Sequence, residues 1–425
     1  MKELTADEKA YIANLCKEAK RASAILRSVG TAQKNKALEI MAKLLEENRS
    51  KIKQENAVDL ENAEAAGISG ALLERLQLSD KVIDSIITSL HDIRNLKDPV
   101  GEVIAGWKLE NGIELNKIRV PIGVLAVIYE SRPNVTVDVG ALALKSSNAA
   151  ILRGGKEAIV SNQLLASLFQ KALAEAGLPS NAIQLMNKTS RHLVPELLKQ
   201  DAYIDLVVPR GGEGLIRFVT ENSLIPVVKH DKGVCHVYIH ETADPDQATK
   251  ILINAKTQRP SVCNAAECVV LDKDYPEVAQ ILKTLQEAGV TLRGDSKTQA
   301  ELQKLNIPCE NLTEEGYHKE YLDLEISVKL VENLEQAILH ISEYSSGHSE
   351  AIVTRDLEAA HEFTSRLDSA ALFVNCSTRF HDGGQFGLGA EVGISTGKLH
   401  ARGPMSIADL TTSKYILRGQ GQIRE

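Results

Sequence analysis

From Gly123 onward, short continuous apolar runs alternate with helix-length segments, and this alternation constrains the fold more than any other feature of the chain. Gly123-Val-Leu-Ala-Val-Ile-Tyr129 is apolar throughout, as strands buried on both faces are. Runs at 149–153, 182–185 and 203–209 repeat the pattern, with helices predicted over 135–145, 157–176 and about 191–198. A second series begins near Val234. Its strands are expected at 235–239, 268–271, 327–331 and 350–354, and its helices at 245–255, 276–288, 334–341 and 357–367. Repeated strand–helix units joined by short connections predict doubly wound parallel sheets. A chain of 425 residues with 43% apolar content is long enough to bury two cores. The boundary between them is set at Lys232-Gly233.

The first hundred residues read differently. Leu38, Met41 and Leu45 recur at helical spacing within one long stretch over 31–66, Gly67 is a stop, and a further helix runs from Ser69-Gly70 toward Leu96. Trp107-Lys-Leu-Glu-Asn-Gly-Ile-Glu-Leu-Asn116 then alternates about an Asn-Gly pair, a two-residue hairpin signal. It sits between helical and alternating regions, where a compact domain has little use for it except as a flap. The segment 412–417 is strand-like and is expected to pair with a partner's sheet.

Charge and cysteine content exclude several classes. The formal net charge is -8, with acids and bases interspersed, so no broad basic face invites nucleic acid. No run of 18 apolar residues and no N-terminal signal region is present, and a soluble, cytosolic protein is expected. Six cysteines with no CxxC pair read as reduced thiols. Neither HExxH nor a comparable spacing occurs, so no metal is expected.

One of those cysteines has an unusual setting. Asn254-Ala-Lys-Thr-Gln-Arg-Pro-Ser-Val-Cys263 places it in a polar loop after Lys256 and Arg259, and nearby positive charge favours the nucleophilic thiolate. Taken alone, the loop leaves a buried structural cysteine open. This loop, together with Val120-Pro-Ile-Gly-Val124, Tyr129-Glu-Ser-Arg-Pro-Asn134, Thr378-Arg-Phe-His-Asp-Gly-Gly384, Gly387-Leu-Gly-Ala-Glu-Val-Gly-Ile-Ser-Thr396 and His400-Ala-Arg-Gly-Pro404, resembles the gamma-glutamyl phosphate reductases, a branch of the aldehyde dehydrogenase superfamily. The likeness extends over nearly the whole chain.

That resemblance implies an aldehyde dehydrogenase-like α/β fold of two Rossmann-like domains with an oligomerisation hairpin and a C-terminal strand. The expected division is 1–102 and 120–232 for cofactor binding, 103–119 for the hairpin, 233–398 for catalysis and 399–425 for the C-terminal oligomerisation segment. It implies NADPH-dependent reduction of L-glutamyl 5-phosphate to L-glutamate 5-semialdehyde through a thioester on Cys263. Asn134 and the backbone N–H of Cys263 would be the oxyanion donors. A homo-oligomer is implied, and the absence of a fused kinase domain leaves the acyl phosphate to a separate glutamate 5-kinase. The alternatives are another aldehyde dehydrogenase or acyl-phosphate reductase, and, from a different class, a cofactor-binding regulatory protein without turnover.

For the cofactor, Gly211 and Gly212 lie in the turn Pro209-Arg-Gly-Gly-Glu-Gly214, where glycine lets backbone approach a pyrophosphate; a plain tight turn fits as well. Arg153 and Lys156 stand where NAD-dependent relatives carry Lys and Glu, and a cation there suits a 2′-phosphate. This implies NADP(H), against two solvated loop cations. Glu325, in Glu325-Ile-Ser-Val328, resembles the carboxylate that holds the nicotinamide ribose. His230 takes the place of the water-activating Glu of hydrolytic relatives, although a structural His is equally compatible. Arg259, Ser377 and Arg379 are the expected contacts for the substrate's anionic groups.

Overall fold

The computed structural model describes residues 4–228 and 232–424. The chain divides into two compact units: Met1–Lys229 with Gly387–Gly393 and Met405–Glu425, and His230–Phe386 with Ile394–Pro404.

The first unit holds a four-stranded parallel sheet in the order Ile183–Leu185, Ala149–Arg153, Val124–Tyr129, Leu206–Arg210. The chain steps outward from the Val124 strand, then returns to its other side. A topological switch therefore lies between the carboxyl ends of Val124–Tyr129 and Leu206–Arg210, the place where such sheets form a ligand crevice. Val124–Tyr129 is buried at every residue, as its apolar run requires. The stretch read as one helix over 31–66 is two, Thr31–Glu47 and Arg49–Ala65. Asn48 breaks it by donating its side-chain amide to the Leu44 carbonyl at 2.7 Å, a local bond that competes with the helix ladder.

The hairpin forms, with strands Val103–Lys108 and Glu114–Pro121. The C-terminal strand Thr411–Arg418 pairs antiparallel with Glu114–Pro121 of its own chain, from Thr411 opposite Pro121 to Arg418 opposite Glu114. This pairing takes one edge of Thr411–Arg418, an outer strand of its sheet; the other edge is the one that pairing with a partner's sheet would use. The resulting three-stranded sheet leaves Val103, Ile104, Trp107, Tyr415 and Leu417 exposed.

The second unit contains a seven-stranded parallel sheet, ordered Glu310–Asn311, Thr291–Gly294, Glu325–Val331, Ala266–Asp272, Cys235–Ile239, Ser349–Val353, Ala371–Val374. Strands Cys235–Ile239, Ala266–Asp272 and Ser349–Val353 are buried throughout. Cys235 pairs with Ala266 but His236 pairs with Cys268, so Glu267 is an extra residue in its strand. Bulges of this kind re-aim side chains and concentrate near active sites.

Candidate active site

Cys263 lies between helix Pro245–Thr257 and strand Ala266–Asp272, at the amino end of the parallel strands. It occupies a turn closed by the Ala265 N–H on the Val262 carbonyl at 3.0 Å. The segment preceding it is the C-terminal end of a helix, so no dipole from that helix favours a thiolate.

Three contacts fix the turn. The Cys235 thiol donates to the Cys263 carbonyl at 3.1 Å. Gly233 lies so close that a Cβ on it would meet the Cys263 carbonyl oxygen at 1.7 Å and its Cα at 2.7 Å. The Thr378 hydroxyl donates to the Asn264 carbonyl at 2.7 Å, while Asn264 Nδ2 donates to the His381 carbonyl at 3.0 Å. The glycine-rich segment that composition alone would call a flexible loop is thereby stitched to the cysteine turn.

Those stitches bring three of the sequence-predicted residues together. Arg379 donates from Nε to Gln258 at 2.9 Å, and the Ser377 hydroxyl accepts the Arg379 N–H at 3.3 Å. Burial, and then the proximity of Arg259, lower the Arg379 pKa, while Asp382 and Cys263 oppose that shift. Two guanidinium groups held near each other beside a cysteine form a seat for an anion. Lys256 differs from expectation. Its ammonium is fully buried and pairs with Glu267 at 2.8 Å, so its charge is compensated there and is not offered to the sulfur. Burial raises the Glu267 pKa to about 7 against the opposing pull of Lys256.

Four of the other cysteines are poor nucleophiles by environment. Burial raises Cys16 to about 12 and Cys309 to about 11, lifts Cys235 well above an ordinary thiol, and raises Cys376. Cys263 is half-buried.

Glu325 does not stand free as a ribose ligand: Arg293 Nε binds it at 2.5 Å, and the same guanidinium pairs with Glu310 at 2.9 Å. The neighbouring carboxylate that reaches the cysteine turn is Glu320, which accepts the Gly233 N–H at 3.0 Å. Sequence reading missed Glu320 because only the fold brings it, 87 residues away in sequence, to Gly233. His230 lies outside the described residues.

In the first unit, Gly211 and Gly212 sit at the switch point ahead of helix Glu213–Asn222. The Gly212 N–H donates to the Glu130 carboxylate at 3.1 Å, and a Cβ on Gly211 would press on that side chain at 2.6 Å. A helix N-terminus that already holds a carboxylate is chemically suited to a phosphate oxygen. Arg153 is not available as expected. It is buried and donates to the Gly154 and Thr189 carbonyls at 3.1 and 2.7 Å, leaving only Nε without a partner. Lys156 is exposed at the start of the turn Lys156–Ala158. Arg191 is close enough to lower the Arg153 pKa, after burial itself, and adds positive charge that the sequence reading overlooked. Asn134 opens helix Asn134–Lys145 and donates to Asp138 at 3.0 Å. Burial raises the pKa of Asp138 to about 6.

Two parallel sheets, one with its switch-point glycine turn and the other with a constrained cysteine turn, define a class. The aldehyde dehydrogenase family matches residues 1–303, and the chain belongs to it. That fold binds NAD or NADP. Gamma-glutamyl phosphate reductase of Leptospira interrogans is 51% identical over 414 residues, covering 97% of this chain and 99% of the relative. The enzyme of that name from Nautilia profundicola is 50% identical over 411 residues, 96% and 99% of the two chains. The crystal structure of gamma-glutamyl phosphate reductase from Thermotoga maritima superposes with a TM-score of 0.93 at 44% identity, covering 97% of this chain and 100% of the other. Within the superfamily the chain is therefore a member of the gamma-glutamyl phosphate reductase family. Among the described residues no helix is long and apolar enough to cross a membrane.

Proposed function

We propose that this oxidoreductase converts L-glutamyl 5-phosphate to L-glutamate 5-semialdehyde and inorganic phosphate, with NADPH as reductant. The observation that carries the reading is the Cys263 turn, pinned by Gly233 and Cys235 and flanked by Arg259 and Arg379. The Cys263 sulfur attacks the acyl carbon, the carbon–oxygen bond to phosphate breaks, and a thioester remains on the enzyme. Asn134 and the Cys263 N–H stabilise the oxyanion that forms on the way. Arg259, Arg379 and the Ser377 hydroxyl receive the substrate's anionic groups. A nicotinamide cofactor, when bound, would supply the hydride that reduces the thioester; the Cys263 sulfur then leaves as the carbon–sulfur bond breaks, freeing the aldehyde.

Run in reverse, the reaction needs phosphate as the acyl acceptor. Oxidation of the semialdehyde by NADP⁺ is expected to proceed with added phosphate and to fall to a small residual rate without it. Rapid turnover to free glutamate in phosphate-free buffer would identify a hydrolytic aldehyde dehydrogenase instead.

Preference for NADPH over NADH rests on Lys156, which follows the strand ending at the buried Arg153, with Arg191 adding positive charge near Arg153. Lys156→Glu should raise the apparent KM for NADPH by about tenfold or more, the scale of one lost charge-assisted contact, and leave that for NADH nearly unchanged. Equal effects on both cofactors would place 2′-phosphate recognition elsewhere. A homo-oligomer is supported by the exposed apolar side chains of the three-stranded sheet, Val103, Ile104, Trp107, Tyr415 and Leu417, which a second subunit would remove from water. The acyl phosphate would come from a separate glutamate 5-kinase, and the cytosol suits both steps.

A further inference from the structure

The core of the second unit holds a polar cluster that the proposed reaction does not use. His236 and Cys268 are directly opposite each other on neighbouring strands. They face the same side because Glu267 is bulged out of the register. His340, from helix Leu334–Tyr344, comes down on that side, so that one ligand atom each from His236, Cys268 and His340 all lie within 4.8 Å of one another. Cys268 Sγ and His340 Nε2 are 3.7 Å apart. Metal–sulfur and metal–nitrogen bonds of about 2.3 and 2.0 Å subtend roughly 3.6–3.8 Å between a sulfur and a nitrogen on one ion.

The surroundings have the form of a metal site's supporting shell. Nδ1 of His236 is held by the Glu350 carboxylate at 3.1 Å, both side chains being fully buried. That leaves Nε2, which is buried without a hydrogen-bond partner. A carboxylate bonded to one ring nitrogen while the other is left for an ion is the usual way a ligating histidine is oriented. Glu350 is itself held by the His236 N–H at 2.9 Å and by the hydroxyls of Ser345 and Ser369 at 2.5 and 3.2 Å. At 7% exposure His340 is the member of the set nearest to solvent, which gives an ion a way in.

We infer that His236 Nε2, Cys268 Sγ and His340 Nε2 bind one closed-shell thiophilic ion, Zn²⁺ or Cu⁺, in the core of this unit. One thiolate and two imidazoles suit both ions. Binding forms a metal–sulfur bond and releases the Cys268 thiol proton to solvent. With no ligand atom on the surface, the site is structural.

The test strips the purified full-length protein with a chelator and titrates it with Zn²⁺ against a chromophoric competitor, with Cu⁺ under anaerobic conditions, and with Co²⁺. One equivalent per chain is expected, together with a near-ultraviolet thiolate-to-cobalt charge-transfer band that Cys263→Ser leaves intact and Cys268→Ser removes. His340→Gln, at the most accessible of the three positions, should weaken binding by about tenfold or more. The ion held more tightly in competition is the resident one. Absence of the cobalt band in the unmodified protein, or its loss in Cys263→Ser with retention in Cys268→Ser, would overturn the assignment without touching the proposed reaction.

Discussion

Replacing Cys263 with serine is expected to lower turnover by about 10³-fold or more, because a hydroxyl is intrinsically a far weaker nucleophile than a sulfur and ionises far less readily. The substitution removes no packing volume of consequence, so the circular dichroism spectrum and thermal midpoint should stay close to those of the unmodified protein. Mass spectrometry gives the sharper reading. Incubated with the acyl phosphate and no reductant, the unmodified chain should carry an acyl adduct on the Cys263 peptide, and Cys263→Ser should carry none. Near-normal turnover in Cys263→Ser would remove the thioester from the mechanism.

The second large effect is expected at a residue with no functional group. A Cβ at position 233 would stand 1.7 Å from the Cys263 carbonyl oxygen and 2.5 Å from its carbonyl carbon. The clash is with the Cys263 backbone itself, so relieving it displaces the cysteine turn against the contacts that fix it. A displacement of about 1 Å at a reacting centre costs on the order of 10²-fold in rate. Gly233→Ala should therefore lose about that much in kcat/KM, while the overpacking destabilises the fold by only about 1–3 kcal/mol. The rate of Cys263 alkylation by iodoacetamide, measured beside activity, separates a displaced turn from an unfolded protein. Unchanged kcat/KM in a folded Gly233→Ala protein would show that the turn yields without cost.

These two residues also mark how far the sequence could be read. Apolar runs such as 124–129 and 235–239 announce buried parallel strands by themselves, because being buried on both faces requires an unbroken apolar pattern. Of the short strands, Thr291–Gly294 is only half-buried and lacks that pattern, whereas Ala371–Val374 is apolar throughout but, at four residues, too short to mark a strand by pattern alone. Cys263, Arg259, Ser377 and Arg379 were legible through family likeness, and the structure groups them. What stayed hidden were pairings across long sequence separation. Lys256 is a loop cation by local pattern, yet it pairs with Glu267, and Arg153 is engaged by the Gly154 and Thr189 carbonyls. Glu325 matches a motif, and the fold adds an ion pair with Arg293 that the motif does not announce. A cation's availability depends on which groups the fold sets around it, and no local pattern encodes that.

The three-stranded sheet carries a consequence for how the chain is made. A lone two-stranded hairpin is marginal in water, and here the hairpin gains its third strand only from Thr411–Arg418. That strand follows Pro121 by roughly 290 residues, so at about 5–20 residues per second of synthesis the hairpin waits about 15–60 s for its mate. During that interval Trp107 and its apolar neighbours are presented on an unfinished ribbon beside a nascent chain still on the ribosome. Biogenesis of this enzyme thus contains a timed exposure that ends only when translation delivers the final strand.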